Sequence, residues 1–235
     1  MKLTLLSFVL IVFSNSLFAQ EAASLDQLRA NEARISKRIA ELAEFGVNEK
    51  GENHRVAYSK GDLEGRAYFM DLMKKAGLDV FIDFAGNIIG KRAGKDSSLK
   101  PIAFGSHIDM VPNGGNYDGT YGSITALEII EVLNENNIVT NHPLEVLIFQ
   151  NEEGGLVGSR ALTGNLSKQA LSQISASGLS IEQGIRAIGG NPDRLGEVIR
   201  KPNSLAAFIE IHIEQSKVLE SQGIDVAIVE GIVGI

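Results

Sequence analysis

Three short apolar runs constrain this chain most. Ile102 to Gly105, Leu144 to Phe149 and Leu205 to Ile213 are largely continuous rather than alternating, and ionisable residues follow or close each one. Continuous apolarity over so short a length marks a strand covered on both faces. Helical stretches separate the runs. Gly119 to Asn136 puts Ile124, Leu127, Ile130 and Leu133 on one side. Leu166 to Arg200 is helical in pieces, with Ser180 and Gln183 at capping-box spacing and Asn191-Pro192 giving a cap and a first-turn proline. Upstream, Ser24 and Gln27 have the same capping-box spacing. They open a helix with Leu25, Leu28, Ile35, Ile39 and Leu42 on its apolar face and Gly46 as its stop. A polar loop, Asn48 to Lys60, leads to a second helix over Asp62 to Ala76, stopped at Gly77. Leu78 to Phe84 and Asn87 to Lys91 form a hairpin-like pair around Ala85-Gly86. Glu214 to Ser221 is a short helix stopped at Gly223, and Ile224 to Ile235 reads as extended. Strands alternating with helices predict an α/β fold, a mostly parallel central sheet flanked by helices.

The N-terminus reads as an address. Met1-Lys2 is positive, Leu3 to Phe13 is almost wholly apolar, and Ala19 is a small residue before Gln20-Glu21. That is the layout of a secretory signal peptide over residues 1–19, cleaved after Ala19, and it predicts export, to a bacterial periplasm. The alternative is an N-terminal anchor, although the apolar run is short for a bilayer span. The chain carries 29 acidic and 22 basic side chains, a net charge of −7, which argues against nucleic acid as a partner. It has no Cys, so disulfides, thiolate metal ligands and a cysteine nucleophile are excluded. The strand pattern runs on to Ile235 without a closing turn, so the expectation is a truncated chain. The alternative is a short protein whose last strand is an ordinary sheet member.

Open α/β sheets carry their sites at the carboxyl ends of the strands. The first run ends in Ser106-His107-Ile108-Asp109. His107 can bind a metal through one imidazole nitrogen while Asp109 takes the other ring N–H. Asp118 stands in the Gly-rich loop Pro112 to Gly119, just before a helix, as either an N-cap or a bridging metal ligand. The second run leads to Glu152-Glu153. Adjacent carboxylates face different ways, so one can ligate a metal while the other acts as a base; a solvated acidic turn is the plainer reading. The third run carries Glu210, His212 and Glu214 on one strand face by period two, and His212 is either a ligand or a core histidine. Imidazoles and carboxylates without thiolate suit a zinc-type site.

Together these segments are more specific than any one of them. Gly105 to Gly119, Asn151-Glu152-Glu153-Gly154 and Gly158-Ser159-Arg160-Ala161 resemble the M20 family of di-zinc amidohydrolases and peptidases. Glu210 to Gln215, Val218-Leu219-Glu220 and Gly231-Ile232-Val233-Gly234 are similar to its carbamoylase branch, which includes N-carbamoyl-L-amino-acid hydrolases, allantoate amidohydrolases and β-ureidopropionases. The resemblance runs from Ala57 to the C-terminus. It implies a zinc-exopeptidase-like catalytic domain, incomplete here, with residues 20–225 as its N-terminal part and 226–235 as the start of the crossover to a missing lid and dimerisation domain.

By the same resemblance, His107 and His212 bind one metal, Asp118 bridges two, Glu153 binds the second, and Glu152 is the general base. Asp109 supports His107, and Gln215 contacts substrate. The implied cofactors are two divalent ions, zinc first, with manganese, cobalt or nickel as alternatives. The implied partners are a small-molecule substrate and, for a full-length relative, a second copy in a homodimer. Three departures stand out. The family's further His for the second metal comes from a segment near its C-terminus, and neither His54 nor His142 sits in a matching motif. Ser216-Lys217 replaces a usual Gly-Pro. Gly154 to Ser159 is short and lacks an Arg-Phe pair. The expected activity is hydrolysis of linear amide or ureido carbon–nitrogen bonds. The alternatives are a secreted dipeptidase or aminoacylase, and an inactive ligand- or metal-binding remnant.

Overall fold

A computed structural model describes residues 27–232; the predicted signal segment, Ser24 to Asp26 and the last three residues lie outside them. The sheet has five strands: β1 (Asp79–Ile82), β2 (Ile88–Arg92), β3 (Ile102–His107), β4 (Leu144–Phe149) and β5 (Ala207–Ile209). Their order across the sheet is β1-β2-β4-β3-β5. β4, β3 and β5 run parallel, while the β1–β2 hairpin joins antiparallel through β2 and β4. The sheet is therefore mixed, and its parallel part is the half that carries the site. β3 and β4 are buried along almost their whole length, as their unbroken apolarity requires.

Three longer helices, α1 (Glu32–Ala43), α2 (Lys60–Lys75) and α3 (Thr120–Glu135), supply Leu42, Phe69, Met73, Ile124, Leu127 and Ile130 to the main core. These pack with Ile88, Phe104, Val146 and Ile148 of the sheet. The alternate strand residues Ile89, Ala103 and Leu147 form a second cluster with Phe149 and Leu205. Ser59 caps α2 by accepting from the Asp62 N–H, and Lys74 and Lys75 sit in its last turn, where the helix dipole favours positive charge. The capping box at Ser180 and Gln183 opens α5 (Ile181–Ala187). Asn191 and Pro192 open a 3-10 turn over Pro192–Glu197, as the sequence predicts. A further 3-10 turn covers Lys168–Ser172, and Gly223 closes α6 (Val218–Gln222) in a left-handed conformation. Among the described residues no helix is long and apolar enough to cross a membrane.

Four expectations are corrected. The helix that carries Ile35, Ile39 and Leu42 begins at Glu32, with Leu28 to Ala30 outside it, while the expected cap at Ser24 lies outside the described residues: Asn31 is the cap, accepting from the Arg34 N–H at 3.0 Å. The Asn31 N–H is itself taken by Glu128 at 2.7 Å, so a tertiary contact sets this boundary. The third apolar run forms only three residues of strand. β5 has a single neighbour, β3, and apolar propensity without a partner on the other edge does not extend a ladder. Glu210, His212 and Glu214 are thus not a strand face, and Ile224 to Ile232 makes no strand. Finally, the loop from Asn48 to Lys60 is not uniformly polar and solvated: Arg55, Val56, Ala57 and Tyr58 are all buried. A short helix, α4 (Val157–Leu162), contains the Gly158-Ser159-Arg160-Ala161 motif, for which no helix is predicted.

Candidate metal-dependent active site

β3 delivers His107 at its last position, and the ring is almost fully buried. Its Nδ1 lies 3.0 Å from the Asp109 backbone carbonyl. A carbonyl can only accept, so Nδ1 carries a proton, and in the neutral ring Nε2 is the nitrogen left to bind a cation. That Nε2 faces Glu152 Oε2 at 3.6 Å and Asp118 Oδ1 at 4.0 Å. His212 repeats the arrangement. Its Nδ1 lies 2.8 Å from the Ile213 carbonyl, and its Nε2 points at the same Asp118 Oδ1, 3.1 Å away. Two imidazole nitrogens aimed at one carboxylate oxygen call for a proton or a cation between them.

Asp118 is not a helix cap. The cap of α3 is Gly119, which makes no side-chain bond, and the Asp118 carboxylate instead accepts from the Gln215 amide. Gly119 is required by space as well as by its φ of 61°: a Cβ there would lie 2.4 Å from the His107 ring. Asp109 contributes differently from expectation. Its backbone oxygen, rather than its carboxylate, holds His107; the carboxylate stands 3.6 Å from Nδ1. That carboxylate accepts the N–H groups of Glu152 and Glu153 at 3.2 and 3.3 Å, and so ties the end of β3 to the turn after β4.

Burial pushes the Asp109 carboxyl up to about 6. Burial also raises Glu153, whose carboxylate takes the Val111 N–H and lies near the Asp118 and Glu152 charges. For His107, burial works against the charged form. The Asp109, Glu152 and Glu153 carboxylates outweigh it, and the net shift is upward. A site that holds this much negative charge beside one buried and one exposed imidazole favours a cation.

Among the described residues no three His, Asp or Glu side chains close to the spacing that encloses a metal ion as they stand. The donors nevertheless fit one by their chemistry. His107 Nε2, His212 Nε2 and Asp118 Oδ1 face one another, and imidazole nitrogen and carboxylate oxygen are the ligand types that zinc takes. Glu153 and Asp118 are carboxylates available to a second ion. His54 and His142 lie apart, in loops: the His54 N–H bonds Gly46, and His142 Nδ1 bonds the Lys100 carbonyl. Sequence reasoning placed every ionisable group of this cluster but missed what supports it. Beneath it lie Arg55, Tyr58, Asp62 and Arg66, all buried. The only sequence signal for them is Val56-Ala57-Tyr58, an apolar triplet inside an otherwise polar stretch.

Fold and site together define the class: an α/β protein that gathers imidazoles and carboxylates at the carboxyl edge of its parallel strands. The chain belongs to peptidase family M20/M25/M40, whose sequence pattern matches residues 103–231. It is 39% identical over 207 residues to an N-carbamoyl-L-amino acid amidohydrolase of Geobacillus stearothermophilus, covering 86% of this chain and 51% of that protein. It is 35% identical over 209 residues to a ureidoglycolate hydrolase of Arabidopsis thaliana, covering 84% and 44%. The structure matches a hydantoinase/carbamoylase family amidase from Burkholderia ambifaria with a TM-score of 0.74 at 35% identity, covering 83% of this chain and 49% of that one. The chain spans about half the length of the relatives it matches. Neither the dipeptidase or aminoacylase reading nor the inert-remnant reading is favoured by these likenesses.

Proposed function

We propose that the protein hydrolyses a carbon–nitrogen bond of a linear ureide, with N-carbamoyl-L-amino acids and allantoate-like ureides as its substrate class. The observation that carries this is the convergence of the Nε2 atoms of His107 and His212 on Asp118 Oδ1, with Glu152 beside them. The relatives named above support the substrate class. His107, His212 and Asp118 would hold one divalent ion, zinc first; Asp118 and Glu153 would contribute to a second. Bound there, such ions polarise the ureido carbonyl and acidify the attacking water.

The chain's own residues do the rest. Glu152 takes a proton from the attacking water as the water oxygen bonds to the carbonyl carbon. The carbon–nitrogen bond then breaks, and Glu152 returns the proton to the leaving nitrogen. Asp109 fixes the Glu152–Glu153 turn through two backbone N–H groups, so the base is held in place before substrate arrives. Gln215, bonded to Asp118, stands where it can touch both the ligand set and a substrate.

The test is Glu152→Gln in the full protein, assayed on N-carbamoyl-L-amino acids beside dipeptides. The expected result is a loss of kcat of roughly a hundredfold or more with the metal content unchanged. Undiminished turnover, or activity on dipeptides alone, would overturn the proposal. We also propose export directed by residues 1–19. N-terminal sequencing of the secreted protein should begin at Gln20, and a mature chain that still starts at Met1 would refute it.

A further inference from the structure

Tyr58 is buried, yet its backbone sits at φ 68°, a left-handed conformation that a bulky side chain adopts only when its surroundings compel it. Three contacts hold it there. Its N–H donates to Asp62 Oδ2 at 2.7 Å. Its ring lies against Gly184 of α5, where a Cβ would come within 2.2 Å of it. Its hydroxyl donates to Gln150 Oε1 at 2.7 Å and accepts from Asn151 Nδ2 at 3.3 Å. Gln150 and Asn151 are the two residues directly before Glu152 and Glu153, and both are buried. The Gln150 amide goes on to the Ala85 carbonyl at 2.9 Å, while its N–H bonds Asn87 Oδ1. Asn151 is itself left-handed, at φ 46°, and its carbonyl receives the Val157 N–H that starts α4. The turn that presents the two glutamates is therefore anchored at its back by one phenol, across more than ninety residues of sequence.

We propose that Tyr58 is a positioning residue for the Glu152–Glu153 turn, its hydroxyl fixing Gln150 and Asn151 so that the proposed base and the proposed ligand are presented together. The proposal rests on the functional reading of Glu152 and Glu153 given above. Tyr58→Phe removes one oxygen and keeps the packed ring, so the fold persists. It strands Gln150 Oε1 and Asn151 Nδ2, two buried polar atoms that must then find other partners. The turn moves as they do, and displacement of a base by a fraction of an ångström to an ångström lowers turnover by tens of fold.

The experiment compares the full protein with Tyr58→Phe and with Tyr68→Phe. The second variant is a matched control: its hydroxyl bonds Glu41 at 2.6 Å, on the α1–α2 side of the molecule. Two measurements are made. The first is kcat and KM on an N-carbamoyl-L-amino acid. The second is amide hydrogen exchange of the metal-free proteins over residues 150–154. For Tyr58→Phe the expected result is about a tenfold or larger fall in kcat with KM within about twofold, and faster exchange at Glu152 and Glu153, whose N–H groups bond Asp109. Tyr68→Phe should leave both unchanged. Unaltered exchange and kcat in Tyr58→Phe, or equal losses in both variants, would overturn the proposal. If the wild type turns over no ureido substrate, the functional reading fails, and the exchange data still decide the positioning one.

Discussion

Two imidazoles are set by what lies behind them. Each directs its Nδ1 at a backbone carbonyl one or two residues along the chain, Asp109 for His107 and Ile213 for His212, so each turns its Nε2 toward Asp118. No side chain is needed for this, and the device survives most substitutions nearby. Gly119 is the exception. Replacing it with Ala puts a Cβ within 2.4 Å of the His107 ring at a φ of 61°. Gly119→Ala is expected to lower stability by about 1–3 kcal/mol and to weaken metal binding. Thermal melting with and without added zinc checks it, and an unchanged melt in both conditions would count against the geometry. At this scale the sequence was legible for the ionisable groups that the structure brings together, because His107, Asp118, Glu152 and His212 lie at apolar runs or Gly-rich turns. It was poorly legible for Arg55 and Tyr58, whose roles depend on partners up to 93 residues away in the chain. Arg55 shows why. Its guanidinium is buried and bonds the carbonyls of Leu42 and Ile108 and the Thr120 hydroxyl, and burial lowers it to about 10. A lone Arg in a loop gives no hint that it knits α1, the loop after β3 and the start of α3 into one unit.

Elements were legible where they carry local signals. α5 has its capping box, α3 and β4 their apolar patterns, and α6 its terminal Gly. α4 has no such signal: it is six residues long, starts from Leu156 in a left-handed conformation, and has no side-chain cap. The start of α1 was misread because the cap that wins is chosen by α3. Glu128 of α3 is buried and accepts from the Asn31 N–H and from the Arg34 guanidinium, with Glu131 pairing with Arg38 alongside. The two helices are therefore held by charge-assisted bonds centred on one buried carboxylate. Glu128→Gln removes that charge while nearly preserving shape. It should destabilise the protein by about 2 kcal/mol in urea unfolding, because charge-assisted bonds to a buried carboxylate become neutral ones, while Glu131 and Glu135 still face the guanidinium. Glu135→Gln, at an exposed end of the same cluster, should cost under about 1 kcal/mol. Equal effects for the two would show that burial is not what gives Glu128 its weight.

The molecule as a whole is uneven. One face of the sheet is packed under three helices, while the C-terminal stretch displays Phe208, Ile209, Ile211, Val226, Ile228, Val229 and Ile232 to solvent. Among the described residues, β5 has no strand on its outer edge. Residues 20–235 alone are accordingly expected to self-associate in a concentration-dependent way on light scattering, and Phe208→Glu with Ile228→Glu should relieve it. A monodisperse monomer at high concentration would refute this. The register of β5 against β3 has one more consequence, in time rather than in space. Ile102 pairs with Ala207, so joining these strands closes a loop of about a hundred residues, whereas the β1–β2 hairpin closes over a handful. His107 stands at the end of β3, and His212 lies just beyond β5, the least buried strand. On the proposed ligand set, the site is complete only once β5 has docked, so on refolding the rate of metal capture should follow that long closure rather than diffusion of the ion; stopped-flow capture that depends on zinc concentration alone would refute this.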